Sequence, residues 1–187
     1  MKKKMLLLAS TLLLSTLNVS AAEIAGVDVA ETISYNEQPL QLNGAGIRSK
    51  FFMDLYVSSL YTAEKMDNAD NIINGEQVSA VRLNITSGMI TSEKMIDAMH
   101  EGFDLATDGN TAPIADNINA FITAFSSPIK EGDQFTLVSV PNTGIISYKN
   151  GEQLAITSGE AFRKAVLAIW LGDSPIDKGL KKEMLDG

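Results

Sequence analysis

The stretch Leu40 to Tyr61, LQLNGAGIRSKFFMDLYVSSLY, decides how the rest of the chain is read. From Phe51 onward the odd positions Phe51, Met53, Leu55 and Val57 are apolar, while the even positions Phe52, Asp54, Tyr56 and Ser58 mix bulk with polarity. Successive side chains of a strand point to opposite faces. The spacing therefore predicts a long strand with one plain core face. Its other face, carrying Asp54, Tyr56 and Ser58, suits either ordinary packing or a half-wet cleft. Gly44-Ala45-Gly46 upstream reads as a hairpin or a bulge. It is not a phosphate-binding loop, because the third glycine is missing and a strand rather than a helix follows.

Working outward, Glu23 to Tyr35 alternates in short pieces that read as edge strands. Asn68 to Asn74 predicts a short helix closed by Gly75, and Val78 to Thr86 returns to a strand. Thr91 or Ser92 caps a helix to about Ala106 whose stripe is Met95, Ile96, Met99, Phe103 and Ala106. A second helix carries Ile114, Ile118, Phe121, Ile122 and Phe125 at the same period. These stripes, rich in methionine and phenylalanine, suit packing on a sheet or the wall of an apolar cavity. Three strands follow, Gln134 to Val140, Gly144 to Lys149 and Gln153 to Thr157, with Asn150-Gly151 as a hairpin signal. The last block gives a helix with Phe162, Ala165, Val166, Ile169 and Trp170, ended by Gly172. Ser174-Pro175-Ile176-Asp177 then predicts a short final helix capped by Ser174. Trp170, the single tryptophan, is expected to anchor this helical pair. Together these elements predict one α+β domain, an antiparallel sheet covered on one face by helices.

MKKKMLLLASTLLLSTLNVSAA at the start has the basic, apolar and small-residue regions of a cleavable secretory signal. The expected division is a signal peptide over residues 1–22 and a domain over residues 23–187, exported to the periplasm without a stable membrane anchor. Cleavage would remove Lys2, Lys3 and Lys4 and make the formal charge of −8 more negative still. So acidic a surface repels phosphate backbones and anionic headgroups, and nucleic acid is not an expected partner. With no cysteine and only His100, neither disulfides nor a structural metal site is expected, and no cofactor is implied. The sequence does not fix the oligomeric state.

Two blocks, GAGIRSKFFMDLYVSSLY (residues 44–61) and FRKAVLAIWLGDSPIDKGLKKEML (residues 162–185), resemble the bacterial exported branch of the chalcone isomerase-like family. The resemblance implies that family's fold, with a ligand cleft between long strands and a helical layer. It argues against chalcone cyclisation here. Tyr56 stands where the enzymes have a threonine, Thr91 and Ala98 stand where they have tyrosine and asparagine, and Ile169 replaces a second threonine. Arg48 follows the glycine motif that the catalytic arginine precedes. No catalytic residue is therefore assigned. The non-catalytic, fatty-acid-binding members hold the ligand carboxylate with an arginine and a tyrosine, which implies Arg48 and Tyr56 as ligand-binding residues for a small apolar acid. On one uninterrupted strand those two would lie roughly 26 Å apart. A bend or bulge near Ser49-Lys50 is thus expected. An isomerase or lyase of unknown substrate, and an accessory periplasmic protein, are the alternatives.

Overall fold

The computed structural model describes residues 21–186. The signal expected over residues 1–22 lies outside the described residues except for Ala21 and Ala22, which begin the first strand. Ala21–Ile24 (β1) and Val27–Ala30 (β2) form a two-stranded antiparallel ribbon. Seven further strands, Thr32–Tyr35 (β3), Gln38–Lys50 (β4), Met53–Thr62 (β5), Ser79–Ile85 (β6), Gln134–Val140 (β7), Gly144–Lys149 (β8) and Glu152–Ser158 (β9), pair antiparallel in sequence order. Five helices cover this meander: Ala69–Asn74 (α1), Ser92–Ala106 (α2), Ala115–Thr123 (α3), Glu160–Leu171 (α4) and Lys178–Leu185 (α5). The α+β class and the helix-covered sheet are as the periodicities predict.

The main core lies between sheet and helices, where Tyr56, Leu60, Val81, Leu83 and Phe135 meet Met95, Met99, Phe103, Phe121, Phe162 and Trp170. Phenylalanines run through it as a connected row. Phe103 stacks on Phe162 at 5.7 Å, Phe121 meets Phe162 at 5.4 Å and Phe125 at 5.0 Å, and Phe125 meets Phe135 at 5.1 Å. A smaller core of Leu40, Tyr61, Ala80, Val138 and Ile146 fills the opposite face of the sheet. Tyr35 of β3 and Tyr148 of β8 pack against the same cluster, so the sheet is curled. Helix α4 contributes Phe162, Val166, Leu167 and Ile169 to the interior, and also a fully buried arginine. Each of the three Arg163 guanidinium nitrogens has a partner. The side chain donates to both Glu160 carboxylate oxygens (2.9 and 2.6 Å), to Ser139 Oγ (2.9 Å) and to the Ile73 carbonyl (2.9 Å), which ties α4 to β7 and α1.

Gly44 and Gly46 do not make a hairpin. They lie within β4, where α5 crosses so closely that a methyl on Gly44 would stand 2.7 Å from the Met184 carbonyl oxygen. The glycines serve close approach rather than a turn. A bulge does occur beside them, at Asn43, the extra residue between the Leu42–Tyr61 and Gly44–Leu60 pairs. Buried Asn43 donates to the carbonyls of Met66 (2.8 Å) and Met184 (2.9 Å) and accepts from Met66 N (2.7 Å), locking α5 to the loop after β5. The final helix also begins later than expected. Asp177, not Ser174, is its cap, accepting from the backbone of Gly179 (2.9 Å) and Leu180 (3.1 Å).

Candidate functional site

The chain reverses at Phe51-Phe52, where both residues have positive φ (52° and 65°) and Lys50 pairs with Met53. This is the geometry of a two-residue hairpin turn. Phe51 is therefore not part of a strand face, contrary to the alternation read from the sequence. The reversal makes Arg48 of β4 and Tyr56 of β5 direct cross-strand partners. Such partners have β-carbons about 4.5–5.5 Å apart. The turn, not a bend at Ser49-Lys50, brings the two predicted residues together. Next to them Leu55 is an extra residue between the Arg48–Tyr56 and Ser49–Asp54 pairs, a second bulge that re-aims the end of β5.

Both residues line a cavity of about 370 Å³ between the β4–β5 hairpin, α2 and α4. That volume falls within the roughly 300–1,000 Å³ of small-molecule sites. Its buried wall is apolar and soft: Leu83, Ile90, Met95, Met99, Phe121 and Ile169. Exposed residues rim it, with Phe51, Met53 and Met89 beside Lys50, Lys94, Asp97 and Glu101. Ala98 and Ile169, the positions that resemble catalytic places of the family's enzymes, line the cavity and carry no polar group. Thr91 instead caps α2, accepting from Lys94 N at 3.3 Å. His100 is exposed on α2.

Tyr56 is buried, and the Trp170 indole N–H donates to its hydroxyl at 3.3 Å. Burial pushes the phenol pKa up, against the opposing Trp170 hydrogen bond and the charge of Arg48. The hydroxyl thus stays protonated at neutral pH. With one lone pair taken by Trp170, it keeps a proton to donate into the cavity. Arg48 Nη1 donates to the Ser49 carbonyl (2.6 Å) and to Asp177 Oδ2 (3.0 Å). Among the described residues its Nε and Nη2 have no carboxylate or carbonyl partner. The same Asp177 caps α5 through Oδ1, so one carboxylate joins the helix start to the arginine.

Trp170 and Asp177 belong to the site but were read from the sequence only as an anchor and as the third residue of a helix start. An i, i+7 spacing across Gly172 offers no periodic signal. Only the folded chain puts Trp170 against Tyr56 of β5 and Asp177 against Arg48 of β4.

Residues 21–186 match the model of a family described as chalcone isomerase-like. No curated protein sequence matches the chain. Among solved structures, the chain is similar in fold to the fatty-acid binding protein AtFAP1 of Arabidopsis thaliana, with a TM-score of 0.67 and 15% sequence identity. That alignment covers 86% of this chain and 92% of the other.

Proposed function

We propose that this chain, which belongs to the chalcone isomerase-like family, is a non-catalytic binding protein for an apolar carboxylate such as a fatty acid. The observation that carries this is the pairing of Arg48 with Tyr56 on the wall of an otherwise apolar cavity. Each group has a distinct task. The planar guanidinium can hold both oxygens of a carboxylate through Nε and Nη2. The Tyr56 hydroxyl, oriented by Trp170, adds a third donor, and the methionines of α2 accommodate a flexible chain. A fatty-acid binding protein of the same fold supports the ligand class.

Ala98 and Ile169 support the non-catalytic role. Acid-base work and charge stabilisation need polar groups held at the reacting atoms, and these two side chains supply none. In this reading the protein acts outside the cytoplasm, because residues 1–22 carry the charge, apolar and small-residue pattern of a cleavable signal. Among the described residues no helix is long and apolar enough to cross a membrane.

Native mass spectrometry of the protein purified from its own source tests the reading. The expected spectrum shows the mature chain with an added mass matching long-chain acids, and displacement of that mass by excess added acid. A chain that carries no such mass and binds no added acid contradicts it. Turnover of a chalcone-like enone by the same preparation would contradict the non-catalytic role.

A further inference from the structure

The β4–β5 turn exposes two aromatic rings at the one place where a hairpin has least need of them. Phe51 is 78% and Phe52 107% exposed, and both hold the left-handed backbone that asparagine and glycine adopt at lower cost. Such strain at a bulky residue costs on the order of 1–3 kcal/mol and marks positions shaped by something other than folding. No interior contact explains these rings. Three features describe what they fit. The tip is narrow, two residues wide, so a flat protein surface would cover little of it, whereas a fluid phase envelops it. It stands at the cavity mouth, where Phe51, Met53 and the 43% exposed Met89 continue its apolar surface. The charged rim behind it is balanced, Lys50 and Lys94 against Asp97 and Glu101, with Lys50 Nζ 3.6 Å from Glu101 Oε2. A layer of zwitterionic headgroups offers matching charges of both signs.

We infer that the Phe51-Phe52 tip inserts into the interface of a zwitterionic lipid bilayer and sets the cavity mouth against it. Aromatic rings supply the attachment, and the net charge of −8 opposes binding to anionic lipid. Delivery of an acid from bilayer to cavity through this contact rests on the proposed function. The attachment itself does not, and is measured on unloaded protein.

The test is co-sedimentation of the full mature chain with phosphatidylcholine vesicles, compared with F52G and F51N/F52G. These substitutions place favoured turn residues at the two positions, so the hairpin is kept and its strain relieved. The urea midpoint should hold or rise. The expected result is vesicle binding by the natural chain, lowered about tenfold by F52G and about a hundredfold by the double variant, as removal of one or two buried rings from lipid implies. Replacing part of the phosphatidylcholine by phosphatidylglycerol should weaken binding. Phe52 does not line the cavity, so F52G should keep its affinity for a soluble acid while transfer of a fluorescent acid to vesicles slows. Equal vesicle binding by all three proteins, or none by the natural chain, overturns the inference. Stronger binding to anionic vesicles overturns it in favour of attachment through Lys50 and Lys94. A dimer in sedimentation velocity that F51N/F52G alone dissolves shows instead that a second copy covers the tip.

Discussion

Replacing Arg48 and Asp177 in turn should move acid affinity in opposite directions. Arg48 is 13% exposed and Asp177 25%, so the pair sits where solvent screens only partly. Arg48→Ala removes the charged donor to the ligand, a loss of about 1.5–3 kcal/mol or roughly 10- to 150-fold in Kd. Asp177→Asn acts the other way. An aspartate about 5 Å from a ligand carboxylate repels it by about 3 kcal/mol at an effective dielectric near 20. Its attraction to Arg48 also competes with the ligand, while partial solvation weakens both effects. About 1 kcal/mol should survive, so D177N is expected to tighten acid binding about fivefold. Asparagine is as good a helix cap as aspartate, so α5 should keep its start. Titration of Trp170 fluorescence with a long-chain acid and with the alcohol of equal length reads both effects, because this single tryptophan borders the cavity and touches Tyr56. The alcohol should be nearly indifferent to either change. Equal losses for acid and alcohol in R48A, or weaker acid binding in D177N with α5 intact, would refute this account of the clamp.

Tyr56→Phe should weaken acid binding about tenfold, the low end for a hydrogen bond to a charged group, and cost about 1 kcal/mol of stability by leaving the Trp170 N–H unpaired; the same titration and urea unfolding measure these. Gly44→Ala should lower stability by about 1–3 kcal/mol, since the added methyl meets the Met184 backbone rather than a movable side-chain end; thermal unfolding reads the loss. Acid stability should depend on Glu160. The hydrogen bond from Arg163 holds its carboxyl below the ordinary 4.5, against burial, so the unfolded chain takes up the proton first as pH falls. Its contribution is full above about pH 4.5 and is lost as pH drops through the lowered folded value. Asp133 behaves alike from an ordinary 3.8, burial being outweighed by hydrogen bonds from Asn150, Lys149 and the Lys130 backbone. Glu160→Gln should therefore flatten the acid limb of the stability profile, measured by urea midpoints from pH 3 to 7.

Periodic signals carried most of the fold. The stripes of α2 and α4 and the Asn150-Gly151 hairpin are local patterns, and each element formed close to where its spacing placed it. Aperiodic decisions were harder. Phe51-Phe52 lacks turn chemistry, so alternation through Phe51 hid the reversal that joins Arg48 to Tyr56. Gly44 and Gly46 read as a hairpin or a bulge, and the close approach they serve was hidden because the helix that crosses them lies some 140 residues later. Asp177 took the cap from Ser174, and its second oxygen reaches Arg48, a long-range contact that no local pattern announces. Arg48 and Tyr56 were named as candidates through resemblance alone, and the structure bears on the pairing of the two residues, not on their role. Their contact was not legible, because it depends on a strained turn.

The central claim is that the cavity holds an acid with its carboxylate between Arg48 and Tyr56. A crystal structure with a long-chain acid brominated at its far end tests this directly, since anomalous scattering locates the tail without interpretation of weak density. The account predicts carboxylate oxygens about 3 Å from the Arg48 guanidinium and the Tyr56 hydroxyl, with bromine inside the cavity bounded by α2 and α4. Bromine outside that cavity, or a carboxylate turned away while Arg48 stays bound to Asp177, would contradict it.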